Sequence, residues 1–513
     1  MENQARLSPW VCFIALFNVL LHLAFYNTLG FHRDELLYFS LGQHLGAGYA
    51  SVPPFIGFMA WLMIKLLGYS LFSARILPVL FAGIMVLLVS GITKELKGGK
   101  YAQVIAAIAF LVTPFNLRTY GLFMPVFFDC FFWTIMFYII LRWINSKSDK
   151  YLLLLGLFAS LGLLNKYLIG IEFLAILIGF AFSPYRGIFT RKYFWFAVAL
   201  AFLVFLPNLI WQLLNNLPVV THMKALNESQ LVHVDRLQFF TDQVFMALMG
   251  SLFVIPGIVY FSLSGKKKEY RPLIIASLLS LLIIALLRGK SYYTIGLFPF
   301  WIAAGGVYWE TATRRLFTRI LLPASCILIT LPILPFGIPV YGPQKLAEYF
   351  AGAKKATGLD IGLRWETGRI HSLPQDYADM IGWDEIAFAT ASAYGQVTDK
   401  NACMIYAENY GEAGAVMVLG KKYGLPEPVC FSESFFYWFP RNPQTEITSL
   451  IYINGELGGD VRDLFSDCRL VEQVRDTLAR EYGTGVWLCT NPKSSFNDFW
   501  KQRVIQITNP FHH

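Results

Sequence analysis

Long apolar runs separated by short polar segments recur through residue 340, and beyond that point the pattern changes. The runs lie near 10–29, 74–93, 101–117, 125–142, 151–167, 168–184, 193–211, 241–262, 272–288, 292–309 and 317–337. Each is close to the roughly 17–25 residues that a helix needs to cross a bilayer, so the pattern predicts about eleven transmembrane helices. The segments "TKELKGGK" (93–100), "RWINSKSDK" (142–150), "SPYRGIFTRK" (183–192), "SGKKKEYR" (264–271) and "WETATRRLFTR" (309–319) carry surplus Lys or Arg. With the N-terminus in the cytoplasm, an eleven-span arrangement puts every one of these loops inside, as the positive-inside rule requires. Residues 30–73, 118–124, 212–240, 289–291 and everything after 338 then lie outside. The apolar stretch "PPFIGFMAWLMIKLLG" (53–68) is too short for a span and contains Lys65, so it reads as a helix lying at the membrane surface.

After the Pro-rich segment "LPILPFGIPVYGP" (331–343), helix-like stretches such as 376–395 alternate with strand-like ones. The latter are "NACMIYA" (401–407), "PVCFS" (428–432), "SLIYING" (449–455), "GVWLCT" (485–490) and "RVIQITN" (503–509). The expected organisation is a transmembrane domain, 1–340, with a first extracytoplasmic loop at 30–73. A soluble extracytoplasmic α/β domain follows at 341–513.

Composition narrows the class. Of 513 residues, 56% are hydrophobic and only 15% charged, too few to solvate a soluble protein of this size. The 45 Phe, 26 Tyr and 13 Trp suit lipid-facing helices with interfacial belts. The formal charge of +9 sits between spans, which points to cytoplasmic loops and away from a nucleic-acid binder. "MENQARLSPW" runs into the first apolar segment without a small-residue cleavage site and reads as an uncleaved first span. The seven Cys form no C-x-x-C pair. Cys403, Cys430, Cys468 and Cys489 could pair on the outer side, and their spacing does not choose between pairings.

Candidate chemistry collects at outward helix ends. Asp34 and Glu35 in "FHRDELLYFSLGQHLGAGYASVPP" (31–54) follow the first apolar run, where partial desolvation makes a carboxylate a better proton acceptor. Asp129 starts the fourth run, and ionisable residues at membrane depth are functional candidates. Lys166 with Tyr167, and Arg288 and Lys290 beside Tyr292 and Tyr293, put positive charge on the outer side against the inside bias. Such cations suit an anionic group such as a phosphate. Snorkelling is the plain alternative for each of them.

The first-loop stretch, together with "RTYGLFMPVFFDCFFWT" (118–134), "GLLNKY" (162–167), "FLPNLIWQ" (205–212), "GKSYYTIGLFPF" (289–300), "LPQDYADMIGWDEI" (373–386) and "AENYGEAGAVMVLGKKYGLP" (407–426), resembles the bacterial family 39-like glycosyltransferases. These belong to the superfamily of the protein O-mannosyltransferases and the aminoarabinose–lipid A transferases, with the GT-C membrane fold. The resemblance implies inverting transfer of a sugar from a polyprenyl phosphate to a lipid, glycan or protein hydroxyl. It places the reaction on the outer face of the bacterial inner membrane. It implies Asp34 as general base, Glu35 as its partner and Asp129 at the second acidic position. Lys166, Arg288, Lys290 and, more weakly, Arg33 would hold the donor phosphate, and Tyr167, Tyr292 and Tyr293 would line the cavity. Where many relatives carry Asp-His before the paired prolines, this chain has Ser51 and Val52, so an acidic contact is missing from the loop. Some members use a divalent metal. No ligand set is recognisable here, and the expectation is no cofactor. After the strand-like "ACMIY" (402–406), "ENYGEAGAVMVLGKKYGLPEP" (408–428) reads as a Gly-rich turn and an apolar helix, a strand–turn–helix that positions an acceptor or serves structure, and its Glu408 and Glu412 could meet a sugar hydroxyl. A flippase or transporter for a lipid-linked saccharide is the main rival reading, and a lipid phosphotransferase is another.

Overall fold

The computed structural model describes residues 7–229, 231–360, 362–439, 446–493 and 495–508. They gather into two compact units. One comprises the described residues of 7–26, 46–56 and 75–340, and the other those of 27–45, 57–74 and 341–508.

The first unit is helical. Six helical segments of the described chain are long and apolar enough to cross a membrane. They are Leu71–Glu95, Pro125–Ser146, Lys192–Leu214, Arg236–Leu263, Gly265–Leu286 and Leu316–Phe336. This corrects the expectation of about eleven. Several of the other apolar runs are cut short: Pro9–Ala24 has 16 residues, Lys100–Leu111 has 12, Lys150–Asn165 has 16 and Ile169–Ala181 has 13. At 1.5 Å per residue, 16 residues rise only about 24 Å, short of a hydrocarbon core of roughly 30 Å. The cuts fall at Pro114 and at the Lys166–Leu168 break, which hydropathy averages over. The helix Phe55–Leu67, 13 residues long, covers most of the stretch expected to lie at the surface.

Small residues let these helices approach closely. A Cβ added to Gly305 would lie 2.2 Å from the Phe253 carbonyl oxygen, and one added to Gly257 would lie 2.5 Å from the Gly305 nitrogen. The helices Ser251–Leu263 and Phe298–Ala312 are therefore in backbone contact, the way membrane helices associate where lipid gives no hydrophobic drive.

The second unit holds a four-stranded sheet: β1 (Cys403–Ala407), β2 (Ser449–Asn454), β3 (Phe465–Gln473) and β4 (Gly485–Pro492), in the order β1-β2-β4-β3. The β1/β2 pair is parallel and the other two pairs are antiparallel. Met404, Leu450, Tyr452 and Cys489 lie in an apolar cluster on one face with Phe496, Trp500 and Val504. Those last three stand four residues apart, so 495–508 is a helix, Ser495–Thr508. The strand expected at 503–509 is thus corrected, and its residue 509 lies outside the described residues. Buried Ile451, Ile453 and Leu488 alternate with the cluster residues and face the other side of the sheet. The strand expected at 428–432 is reduced to a bridge between Val429 and Tyr406. Cys468 and Cys489 stand opposite each other on β3 and β4 and form a disulfide, while Cys403 and Cys430 are free thiols.

The close helix pair generates a stability prediction. Gly305→Val forces the two backbones apart and should destabilise the protein by about 1–3 kcal/mol, read as a lower thermal midpoint in detergent. Gly187→Ala has open space around it and serves as the control. Equal midpoints for the two variants would contradict the contact.

Candidate functional site

The sequence-predicted residues fall into two groups, one in each unit. In the first unit, Asn165 ends its helix by donating from Nδ2 to the Pro125 carbonyl at 2.9 Å. This bond ties the end of one helix to the start of the helix that carries Asp129. Lys166 follows as the C-cap, its N–H bonded to Gly162. The 3₁₀ segment Ser291–Leu297 packs on the Asp129 helix at Gly296, where an added Cβ would lie 2.4 Å from Trp133 Cβ. Tyr292 and Tyr293 are thereby brought to Lys166, whose Nζ lies 5.1 Å and 4.4 Å from their ring centroids. Among the described residues, the ammonium donates no hydrogen bond. Asp129 and Lys290 are within electrostatic reach of it. Asp129 is buried and accepts from Trp133 Nε1 at 3.1 Å.

Two other predicted residues are engaged elsewhere in this unit. Tyr167 donates to Asn208 Oδ1 at 2.7 Å and accepts from Gln212 at 3.1 Å. Arg288 is exposed, in a left-handed backbone conformation, and donates to the Val232 carbonyl at 3.3 Å. Sequence reading missed Glu172, fully buried with neither carboxylate oxygen hydrogen-bonded. A lone acid inside "LIGIEFLAIL" was the available signal.

In the second unit, the helix Arg33–Leu41 begins with a capping box. His32 Nδ1 accepts the Asp34 N–H at 3.0 Å, and Glu35 Oε2 accepts the His32 N–H at 2.9 Å. Glu35 is thus buried in a backbone role, while Asp34, next to it in the first turn, is half-buried. The Asp34 carboxylate accepts from the Tyr410 hydroxyl at 2.9 Å, and the Arg33 guanidinium lies 4.2 Å from the centroid of the same ring. The Arg33 N–H donates to the Asp379 carbonyl at 3.0 Å, and the Asp379 carboxylate accepts from Arg480 at 3.1–3.2 Å. Neither Tyr410 nor the Asp379–Arg480 pair was identified from sequence, because nothing local relates Tyr410 to Asp34, 376 positions away, or Arg480 to Asp379, 101 positions away.

His32, Asp376 and Asp379 form a cluster whose ligand-type atoms all lie within 4.8 Å of one another, a set able by geometry to coordinate a divalent ion. The ring chemistry opposes that use. With Nδ1 accepting an amide N–H, the neutral imidazole carries its proton on Nε2, the nitrogen that faces Asp379 at 3.9 Å. A metal needs a lone pair there. Arg480 already occupies the Asp379 oxygens. Burial pushes the Asp379 carboxyl up to about 6, against the opposing pull of His32, Arg480 and Arg33.

Comparison with known proteins follows this geometry. Residues 51–211 match the family model described as dolichyl-phosphate-mannose-protein mannosyltransferase. The structure is similar to ArnT from Cupriavidus metallidurans bound to undecaprenyl phosphate, with a TM-score of 0.61 at 11% identity over 93% of this chain and 98% of that one. The apo form of the same protein gives 0.59 at 13% identity, over 93% and 97%. The mycobacterial arabinofuranosyltransferase AftD gives 0.52 at 13% identity, over 96% of this chain and 40% of that one. None of the curated proteins is significantly similar in sequence. The likeness is one of fold, and it makes the chain a multi-pass membrane protein with a β-rich extracytoplasmic domain at its C-terminal end.

Two predictions arise here. Stripping with EDTA and then adding millimolar Mn²⁺ or Zn²⁺ should leave the thermal midpoint unmoved, and a metal-dependent rise abolished by His32→Ala would show that the ring does ligate. The second concerns pH. A carboxyl raised from about 4 to about 6 on folding contributes stability that is fully present below pH ~4 and lost as pH rises through ~6. The fall in thermal midpoint across that window should be smaller in Asp379→Asn, and parallel curves would remove the assignment.

Proposed function

For a chain built on the GT-C glycosyltransferase fold, we propose inverting transfer of a sugar from a polyprenyl-phosphate donor to a hydroxyl of an envelope lipid, glycan or protein, on the extracytoplasmic face. The observation that carries the reading is Lys166, an ammonium lying over two tyrosine rings at an apolar helix end, which among the described residues donates no hydrogen bond. That arrangement suits a phosphate arriving on a lipid carrier, and the similar ArnT structure holds undecaprenyl phosphate.

In this reading Asp34 accepts the proton of the acceptor hydroxyl as its oxygen attacks the anomeric carbon. The bond from that carbon to the phosphate oxygen breaks on the opposite face, which inverts the configuration. Polyprenyl phosphate leaves with the bonding pair. Lys166 and Lys290, with Arg288 and Arg33 as further cations, stabilise the charge that concentrates on the departing phosphate. Asp129 contacts the acceptor or assists the base, Glu35 supports Asp34 through the helix cap, and Tyr167, Tyr292 and Tyr293 line the substrate cavity. The setting is the bacterial inner membrane. Membrane lipid is the constant partner, and nucleic acid has no place in the scheme.

The test uses purified protein in lipid vesicles, a panel of polyprenyl-phosphate sugars and candidate acceptors. Acceptor-dependent release of polyprenyl phosphate should fall about 10²–10⁴-fold in Asp34→Asn. Donor crossing the bilayer without any release would instead identify a flippase, and undiminished release in the variant would remove Asp34 as base.

A further inference from the structure

The tail segment 408–414 carries two acids and a tyrosine, and the structure separates their duties. Glu412 Oε2 accepts the N–H groups of Glu408 and Asn409, while Asn409 Oδ1 accepts those of Gly411 and Glu412. Glu408 accepts from the Tyr452 hydroxyl at 3.3 Å. Both acids are thus taken up in holding the strand–turn–helix together. Tyr410 is the residue that the turn presents outward to another element, and that element is the helix bearing Asp34.

The approach is tight. An added Cβ on Gly411 would lie 2.8 Å from Arg33 Cγ and 2.6 Å from Trp383, and one on Gly414 would lie 2.8 Å from Leu36 Cβ. Two glycines therefore let the short helix Tyr410–Gly414 lie flush on Arg33–Leu41, at the distance that puts the phenol oxygen on the carboxylate. Arg33 stacks over the ring and restrains its rotation.

We infer that Tyr410 is a positioning residue for catalysis: its hydroxyl holds Asp34 Oδ1 so that Oδ2 faces the acceptor hydroxyl. This rests on the reading of Asp34 as the general base. Among the described residues, Oδ2 accepts no hydrogen bond. An aspartate in the first turn of a helix has staggered rotamers open to it, and a bond from a half-buried phenol selects one of them. Burial first, and then the charge of Asp34, push the Tyr410 hydroxyl above its ordinary range, so it remains a donor throughout the working pH range. The C-terminal segment of the same unit thereby supplies part of the base's geometry from a position 376 residues away in the chain.

The experiment compares Tyr410→Phe with wild type in the vesicle assay. The variant keeps the ring beneath Arg33 and removes only the oxygen. A lost hydrogen bond to a charged group predicts a fall in kcat of about 10- to 100-fold, with donor KM within about twofold because the phosphate site is untouched. In the Asp34→Asn background the same change should add nothing, since the pair acts as one unit. Tyr452→Phe, which loses a hydroxyl bond inside the sheet, should keep wild-type kcat. Full activity in Tyr410→Phe overturns the inference. So does an equal loss in both backgrounds, or a fall in kcat that tracks a lowered thermal midpoint. Absence of transfer by the wild-type protein itself would count against the glycosyltransferase reading, a result distinct from all of these.

Discussion

The position of residue 34 depends on how the helix Arg33–Leu41 is started. Its first turn leaves backbone N–H groups without helical acceptors, and three side chains or carbonyls take them up: His32 Nδ1, Glu35 Oε2 and the Asp379 carbonyl. Asp379 also meets the His32 ring and holds Arg480 through its carboxylate. Its carbonyl takes the Trp383 indole N–H at 2.7 Å as well. A short stretch of the tail is thus the foundation on which the first-loop helix is built. This explains why residues 27–45 group with the C-terminal segment although they precede it by three hundred positions.

The same logic of satisfying polar groups first governs the transmembrane unit. Asn165 and Trp133 each spend a donor on fixing a helix end or a carboxylate, and Gly296 allows the 3₁₀ segment to lie close. The product is a cation over aromatic faces that, among the described residues, donates no hydrogen bond. Retaining such a group at an apolar helix end costs desolvation, which Asp129 offsets in part and a ligand of opposite charge would offset further. That is the physical case for an anion at Lys166. It does not depend on which sugar or acceptor takes part.

Much of the architecture was legible in the sequence, and the failures have specific causes. The apolar character of the helical part and the strands β1, β2 and β4 follow from local pattern. The count of spans failed because hydropathy measures apolar length while helix length is set by Pro114 and the Lys166–Leu168 break, which carry little hydropathy signal. β3 was missed because its burial is uneven: Phe465 is buried while Ser466, Asp467, Arg469 and Leu470 are exposed, so period two is blurred. The helix Ser495–Thr508 was misread because "RVIQIT" is β-branched, and its four-residue spacing shows only when Phe496 and Trp500 are included. Tyr410, Asp379 and Arg480 were beyond reach because their meaning lies in tertiary contacts alone.

The adjacent acids Asp34 and Glu35 show why residue type cannot settle a role that geometry does. Both stand in the first turn of one helix, and sequence gives them nearly equal standing. The capping box binds Glu35 to a backbone N–H three residues back, the one reach its longer side chain suits, and buries it completely. Glu412 does the same for the turn that carries Tyr410. Glu35 and Glu412 are therefore both committed to backbone groups. Asp34 instead spends one oxygen on the Tyr410 hydroxyl, and among the described residues its other oxygen accepts no hydrogen bond. A general base needs that combination: a carboxylate fixed on one side and free on the other.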